Sequence, residues 1–344
     1  MSRREGKLPG HDAVTRSQAM SVTDALLSRL RLPVIASPMF IVSTPALVIA
    51  QCKAGIVGSL PALNARPAQV LDEWLTQIRE ELARHDAEHP DSPAAPFAVN
   101  QICHGSNDRL AQDMATCVRH RVPIIITSLQ ASKPVIDAAH SYGGIVLHDV
   151  TNIRHAEKAL AQGADGLILV CAGAGGHAGT LSPFALVPEV RRIFSGPVAL
   201  SGAIATGASI LAAQAIGADF AYIGTRFIAT EEANADAAYK QMLLDTTADD
   251  IVYTSLFTGV PGNYLKPSVA ASGLDPQALP TADKSTMNFG SGGNMAKKAW
   301  RDIWSAGQGV GSIDEVLSAR ACIDRLRDEY RAARQSVAAR AARY

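Results

Sequence analysis

The densest group of chemically useful residues is Cys171-Ala172-Gly173-Ala174-Gly175-Gly176-His177-Ala178-Gly179-Thr180, a flexible, glycine-dense stretch around one histidine. Glycine removes side-chain bulk, so a planar ligand can lie against the backbone while the His177 imidazole projects over it. A histidine near its unperturbed pKa accepts a proton at neutral pH, which makes His177 the candidate catalytic base. Gly173, Gly175 and Gly179 miss the G-x-G-x-x-G spacing, and Ser182-Pro183 delays the next helix, so a Rossmann site is disfavoured. Two further small-residue pairs, Ser201-Gly202 and Gly224-Thr225, close apolar runs. At such pairs backbone N–H groups can approach an anion, and Thr225 adds a hydroxyl donor. Either pair alone reads as a tight turn; the two together suggest phosphate binding.

Other polar residues carry weaker signals. His148 and His155 read as hydrogen-bonded packing histidines, while His104, after Asn100-Gln101-Ile102-Cys103, could border a site. Asp149 either pairs with a neighbouring base or caps the next helix. No His/Asp/Glu cluster has metal-ligand spacing, and there is no G-x-S-x-G nucleophile elbow.

These residues gain meaning from the elements that must hold them. Eight short apolar runs, rich in Val and Ile, occur at Pro33–Met39, Gly55–Leu60, Phe97–Ile102, Ile124–Leu129, Ile145–Val150, Gly166–Ala172, Val198–Ile204 and Phe220–Phe227. Nearly continuous hydrophobicity over so few residues is the mark of parallel strands buried on both faces. The segments between them carry helical periodicity, several ending at a glycine such as Gly143, Gly163 or Gly217. Eight strand–helix units in series predict an α/β fold, a (β/α)8 TIM barrel over residues 22–230. Residues 1–21 read as an N-terminal arm, and residues 231–344 as a smaller, mainly helical C-terminal region covering the barrel mouth. Within that region helices are expected at Glu231–Leu244, around Met295–Ile303 and over Ile313–Ala342. In such barrels the active site lies at the C-terminal ends of the strands, where His177, Ser201-Gly202 and Gly224-Thr225 all fall.

Composition narrows the classes further. The 344 residues hold 32 basic and 32 acidic side chains, so no overall field draws nucleic acid or anionic lipid. Five cysteines without a C-x-x-C pair argue against a disulfide framework and against zinc, and imply a reducing compartment. With no signal-peptide h-region and no bilayer-length apolar run, a cytoplasmic location away from membranes is expected. Oligomeric state stays open: the helix after Ile313 could dock on a second copy, giving a homodimer, or pack on the barrel.

Taken in order, Pro38-Met39, Val99-Asn100, the Gly173–Thr180 loop, Leu200-Ser201-Gly202, Ile223-Gly224-Thr225-Arg226-Phe227 and Trp304-Ser305-Ala306-Gly307-Gln308-Gly309 resemble the nitronate monooxygenase family, formerly called 2-nitropropane dioxygenases. The resemblance implies FMN as cofactor and an oxidation of alkyl nitronates, or of nitroalkanes, by O2 to a carbonyl compound and nitrite. By position it implies that Gly202 and Gly224-Thr225, with Ser201, hold the FMN phosphate. Pro38, Met39, Asn100, Gly175 and Gly176 would line the flavin, with Gln308 approaching it from the C-terminal region. His177 would be the base on a neutral nitroalkane or would orient the nitronate. The chain departs from the family pattern at Phe40-Ile41, where small residues are usual, and at Asp149, where many relatives carry lysine.

Three rival functions share parts of this pattern. An FMN-dependent NAD(P)H oxidoreductase, reducing a quinone or an enoyl-thioester, would use the same fold and glycine–histidine loop. A barrel of the inosinate dehydrogenase type would need a catalytic cysteine, for which only Cys171 is well placed. A non-enzymatic flavin carrier would leave His177 without a purpose.

Overall fold

The sequence pattern translates into strands because Val, Ile and Leu at successive positions can be buried on both faces only inside a layered α/β structure. A computed structural model describes residues 22–281 and 302–344; the expected arm and most of the stretch around Met295–Ile303 lie outside the described residues. Residues 22–27 form a short helix, α1. The barrel then follows as β1 (Val34–Ala36), α2 (Pro45–Lys53), β2 (Gly58–Pro61), α3 (Val70–Glu88), β3 (Phe97–Ile102), α4 (Leu110–Arg119) and β4 (Ile124–Ser128). It continues with α5 (Lys133–His140), β5 (Ile145–Val150), α6 (Ile153–Gln162), β6 (Gly166–Val170), a two-residue strand β7 (Gly176–His177), α7 (Pro183–Arg191), β8 (Val198–Ser201), α8 (Gly207–Ala215) and β9 (Phe220–Ile223).

Eight of these strands form one parallel sheet in the order β1-β9-β8-β6-β5-β4-β3-β2. A parallel bridge between Ile35 and Val57 brings the two ends together, so the sheet closes as a barrel. All eight expected strands are present. The structure shortens the last: the chain leaves the strand at Ile223, and Thr225–Ile228 begin a helical turn, α9.

Alternation along each strand sorts side chains into two cores. Ile35, Ile126, Ile168 and Tyr222 point into the barrel, where Leu26 of α1 joins the same cluster. Val34, Ala36 and Ile223 point outward and meet the helices. Each buried aliphatic side chain contributes roughly 1.5–3 kcal/mol, so this double burial dominates the stability. Helix ends follow the expected signals: Asn152 Oδ1 accepts from the His155 N–H, and α6 stops at Gly163 in the left-handed region, φ 98°.

After α9 come α10 (Ala237–Asp245), β10 (Ile251–Thr254), β11 (Gly262–Leu265), α11 (Lys266–Ala271) and, far downstream, α12 (Ala319–Ala341). β10, β11 and β7 form a small antiparallel sheet that no pattern in the sequence announced. Its strands are four residues or fewer and lack the apolar alternation that marks longer ones. α12 was expected with the mouth-covering region. It packs instead against α8 and α2, completing the ring of helices around the barrel. Gly207 opens α8 against it; a Cβ there would lie 2.1 Å from the Tyr330 nitrogen, so this approach needs glycine. The contact is fixed by the Gly207 N–H donating to Glu329 Oε2 (2.8 Å) and Tyr330 Oη donating to Gln214 Oε1 (2.5 Å). Among the described residues, no helix is long and apolar enough to cross a membrane.

Candidate active site

The C-terminal ends of the strands open into one cavity of about 370 Å³, within the range of small-molecule sites. Pro38, Met39, Asn100, Gly175, Gly176, His177, Ser201, Gly202, Gly224 and Thr225 all line it. Gln308 does not. It sits just behind the wall: its backbone N–H donates to the Gly173 carbonyl (2.9 Å), its side chain lies over Gly173, and the flanking Gly307 and Gly309 face the cavity.

The glycines let backbone form the walls. At Gly175 a Cβ would sit 2.8 Å from the Gly307 nitrogen and 2.9 Å from Thr225 Oγ1. Gly202, at φ 138°, would place a Cβ 2.7 Å from the Ala172 carbonyl oxygen. Thr225 Oγ1 accepts from the Gly307 N–H (2.9 Å), tying the end of β9 to the C-terminal segment over the cavity. Three non-glycine residues near the rim have positive φ: Ile41 (68°), Leu129 (73°) and Ala203 (53°). Backbone strain of this kind persists only where surrounding structure enforces it, and it gathers at binding sites.

The loop carrying His177 is not the mobile segment its composition suggests. Gly176 and His177 pair with Asn263 and Gly262 of β11. Asn263 Nδ2 donates to the Ala174 carbonyl (2.6 Å), and Tyr253 Oη donates to that of Ala178 (2.8 Å). His177 Nε2 lies 2.8 Å from Thr258 Oγ1. That hydroxyl also lies 3.0 Å from the Val260 carbonyl and accepts from the Val260 N–H (3.3 Å), so Thr258 is fixed against the ring. Burial pushes the His177 pKa down to about 4, so the imidazole is neutral across the physiological range.

The wall at the ends of β3, β4 and β5 is polar. Asn100 Nδ2 donates to Ser128 Oγ (2.8 Å), and Asp149 Oδ1 accepts from the Leu129 N–H (3.3 Å). Burial raises the Asp149 pKa, against the opposing influence of His148. Asp149 caps nothing, since Asn152 caps α6. His148 is a buried packing histidine on Thr127 (2.8 Å), whereas His155 reaches the cavity edge. His104 does not border the site; it bonds Ser106 (2.8 Å). All five cysteines are buried and unpaired, and burial pushes the Cys171 thiol to about 12. Cys171 is buried and does not line the cavity, which counts against the cysteine-based rival. Among the described residues no His/Cys/Asp/Glu group could hold a metal ion.

Sequence reasoning missed Ser128, Tyr222, Tyr239 and Thr258. Ser128 and Tyr222 were findable, as polar side chains near the C-terminal ends of β4 and β9. Tyr239 and Thr258 arrive from the region after the barrel, and only the fold brings them to the site.

Comparison with known proteins points the same way. The family model for nitronate monooxygenase matches residues 24–329. The chain is 30% identical over 330 residues to a nitronate monooxygenase of Paraburkholderia phytofirmans, covering 78% of this chain and 86% of that protein. Among solved structures it resembles FabK of Thermotoga maritima (TM-score 0.73, 24% identity, 93% of this chain and 98% of that one). It also resembles a nitroalkane oxidase of Streptomyces ansochromogenes (TM-score 0.70, 24% identity, 91% and 99%).

Proposed function

The chain belongs to the nitronate monooxygenase family of oxidoreductases, and on that premise we propose that it binds FMN and oxidises alkyl nitronates or their parent nitroalkanes. The substrate and O2 would yield a carbonyl compound and nitrite. The observation that carries this reading is a histidine pinned on β7 at the wall of a cavity that Ser201-Gly202 and Gly224-Thr225 also line.

The residues fit such a cofactor. Backbone at Gly202 and Gly224 can face a phosphate because no side chain intervenes, while the Ser201 and Thr225 hydroxyls add donors. Pro38, Met39 and Phe40 offer an apolar face for a planar ring, and Asn100 a polar edge. FMN, when bound, supplies the electron transfer from substrate to dioxygen.

The protein's own part is placement and proton handling. Held at Nε2 by Thr258, the His177 ring is the base that would take the α-proton of a neutral nitroalkane. Toward a nitronate, which has already lost that proton, the same ring orients the substrate. Ser305 and Gly307, with Tyr239 of α10 donating to the Ser305 carbonyl (2.5 Å), line the cavity from the region after the barrel. The test is aerobic turnover of 1-nitropropane and propyl-1-nitronate by the FMN-loaded protein, with nitrite and O2 uptake measured. Stoichiometric nitrite supports the reading. Flavin turnover with NADH or NADPH and no nitrite from either nitro compound replaces it with the quinone or enoyl-thioester reductase alternative.

A further inference from the structure

The charge of the cavity bears on which protonation state of the substrate it accepts, a question that rests on the nitro-compound reading above. Among the described residues lining the cavity there is no lysine and no arginine, and the one carboxylate is Asp149. Asp149 stands at the C-terminal end of β5, held by the Leu129 N–H and by the Ser128 side chain. The titratable groups facing it are His148 on its own strand, His155 of α6, Tyr222 of β9 and Cys103 beyond β3. None of these is a permanent cation. An anion entering from solvent therefore meets a wall with no permanent cation and, at Asp149, a carboxyl that is either neutral or negative, inside a site where water screens little.

We propose that Asp149 sets the charge selectivity of this site, favouring the neutral nitroalkane over its nitronate anion. A neutral substrate adds no charge on entry. When His177 takes its α-proton, the C–H electron pair becomes the C=N bond of the nitronate, and the proton resides on the imidazole. The product is an imidazolium–nitronate pair with no net change in cavity charge. A nitronate bound from solvent instead brings a full negative charge that no cation of the described wall balances.

The test compares the FMN-loaded wild type with Asp149→Asn, which keeps an oxygen acceptor for the Leu129 N–H. Initial rates are taken at pH 8 with 1-nitropropane and propyl-1-nitronate from separate stocks, whose interconversion is slow. The ratio of kcat/KM for the anion to that for the neutral compound should rise about tenfold or more in the variant. A change below about threefold overturns the proposal. In parallel, propionate and propionamide serve as unreactive anionic and neutral probes, their binding read from the flavin absorbance. Asp149→Asn should tighten propionate about tenfold relative to propionamide; equal effects on both overturn the proposal. If neither nitro compound reacts, the nitro-compound reading fails, while the propionate–propionamide comparison still decides the role of Asp149.

Discussion

His177 Nε2 and Thr258 Oγ1 lie 2.8 Å apart, joining a histidine on the barrel's sixth strand–helix connection to a threonine 81 residues further along the chain. The threonine hydroxyl is itself tied to Val260, so it holds the imidazole in one orientation. Thr258→Val keeps the shape and removes that hydrogen-bond partner. We expect kcat to fall about tenfold or more with KM little changed, as for loss of a group acting on the transition state. Thr258→Ser should restore most of the rate, and steady-state kinetics of the three proteins checks this.

The depressed pKa of His177 has a signature in stability. Below about 4 the folded and unfolded chains both hold the proton. Between about 4 and the ordinary value of 6.5 only the unfolded chain does, so stability rises with pH across that window and levels off above it. His177→Gln should flatten this part of the profile. Urea midpoints at pH 5 and pH 7 for both proteins measure the difference; an unchanged pH dependence would contradict the depressed pKa of the imidazole.

Gly175 borders the cavity with 2.8 Å between its would-be Cβ and the Gly307 nitrogen. Gly175→Ala must push the 305–309 segment away from Thr225, so bound flavin should fall several-fold while the fold persists. Flavin content per chain and far-ultraviolet circular dichroism give the two readouts.

Gly207→Ala tests the closing helix. The added methyl would clash with α12 backbone at 2.1 Å, and overpacking costs about 1–3 kcal/mol or more when backbone must move. A lowered urea midpoint is expected. A midpoint within error of the wild type would mean that α12 does not rest on α8 as the fold requires.

Much of this molecule was legible from residue order because its strands are buried on both faces and so announce themselves as continuous apolar runs. Phe97–Ile102 and Ile145–Val150 have the same bounds in sequence and structure. The cavity glycines were legible for a related reason: at Gly202 the backbone conformation itself excludes a side chain. What the order of residues hid was long-range. β11 carries no strong pattern in Gly262–Leu265, yet it turns the glycine loop into a strand and seats His177 against Thr258. α12 reads as an exposed helix because its last third is exposed; its buried face of Cys322, Ile323 and Leu326 is too short to reveal which barrel helices it meets.

The most direct test of the central claim is the visible spectrum of the FMN-loaded protein under anaerobic conditions. Propyl-1-nitronate, 1-nitropropane, NADH and NADPH are added in separate samples. Bleaching of the oxidised flavin band by a nitro compound with no nicotinamide present is the predicted result, and it should be slowed at least tenfold in His177→Ala. Bleaching by a nicotinamide alone, or failure of the protein to retain FMN at all, would contradict it.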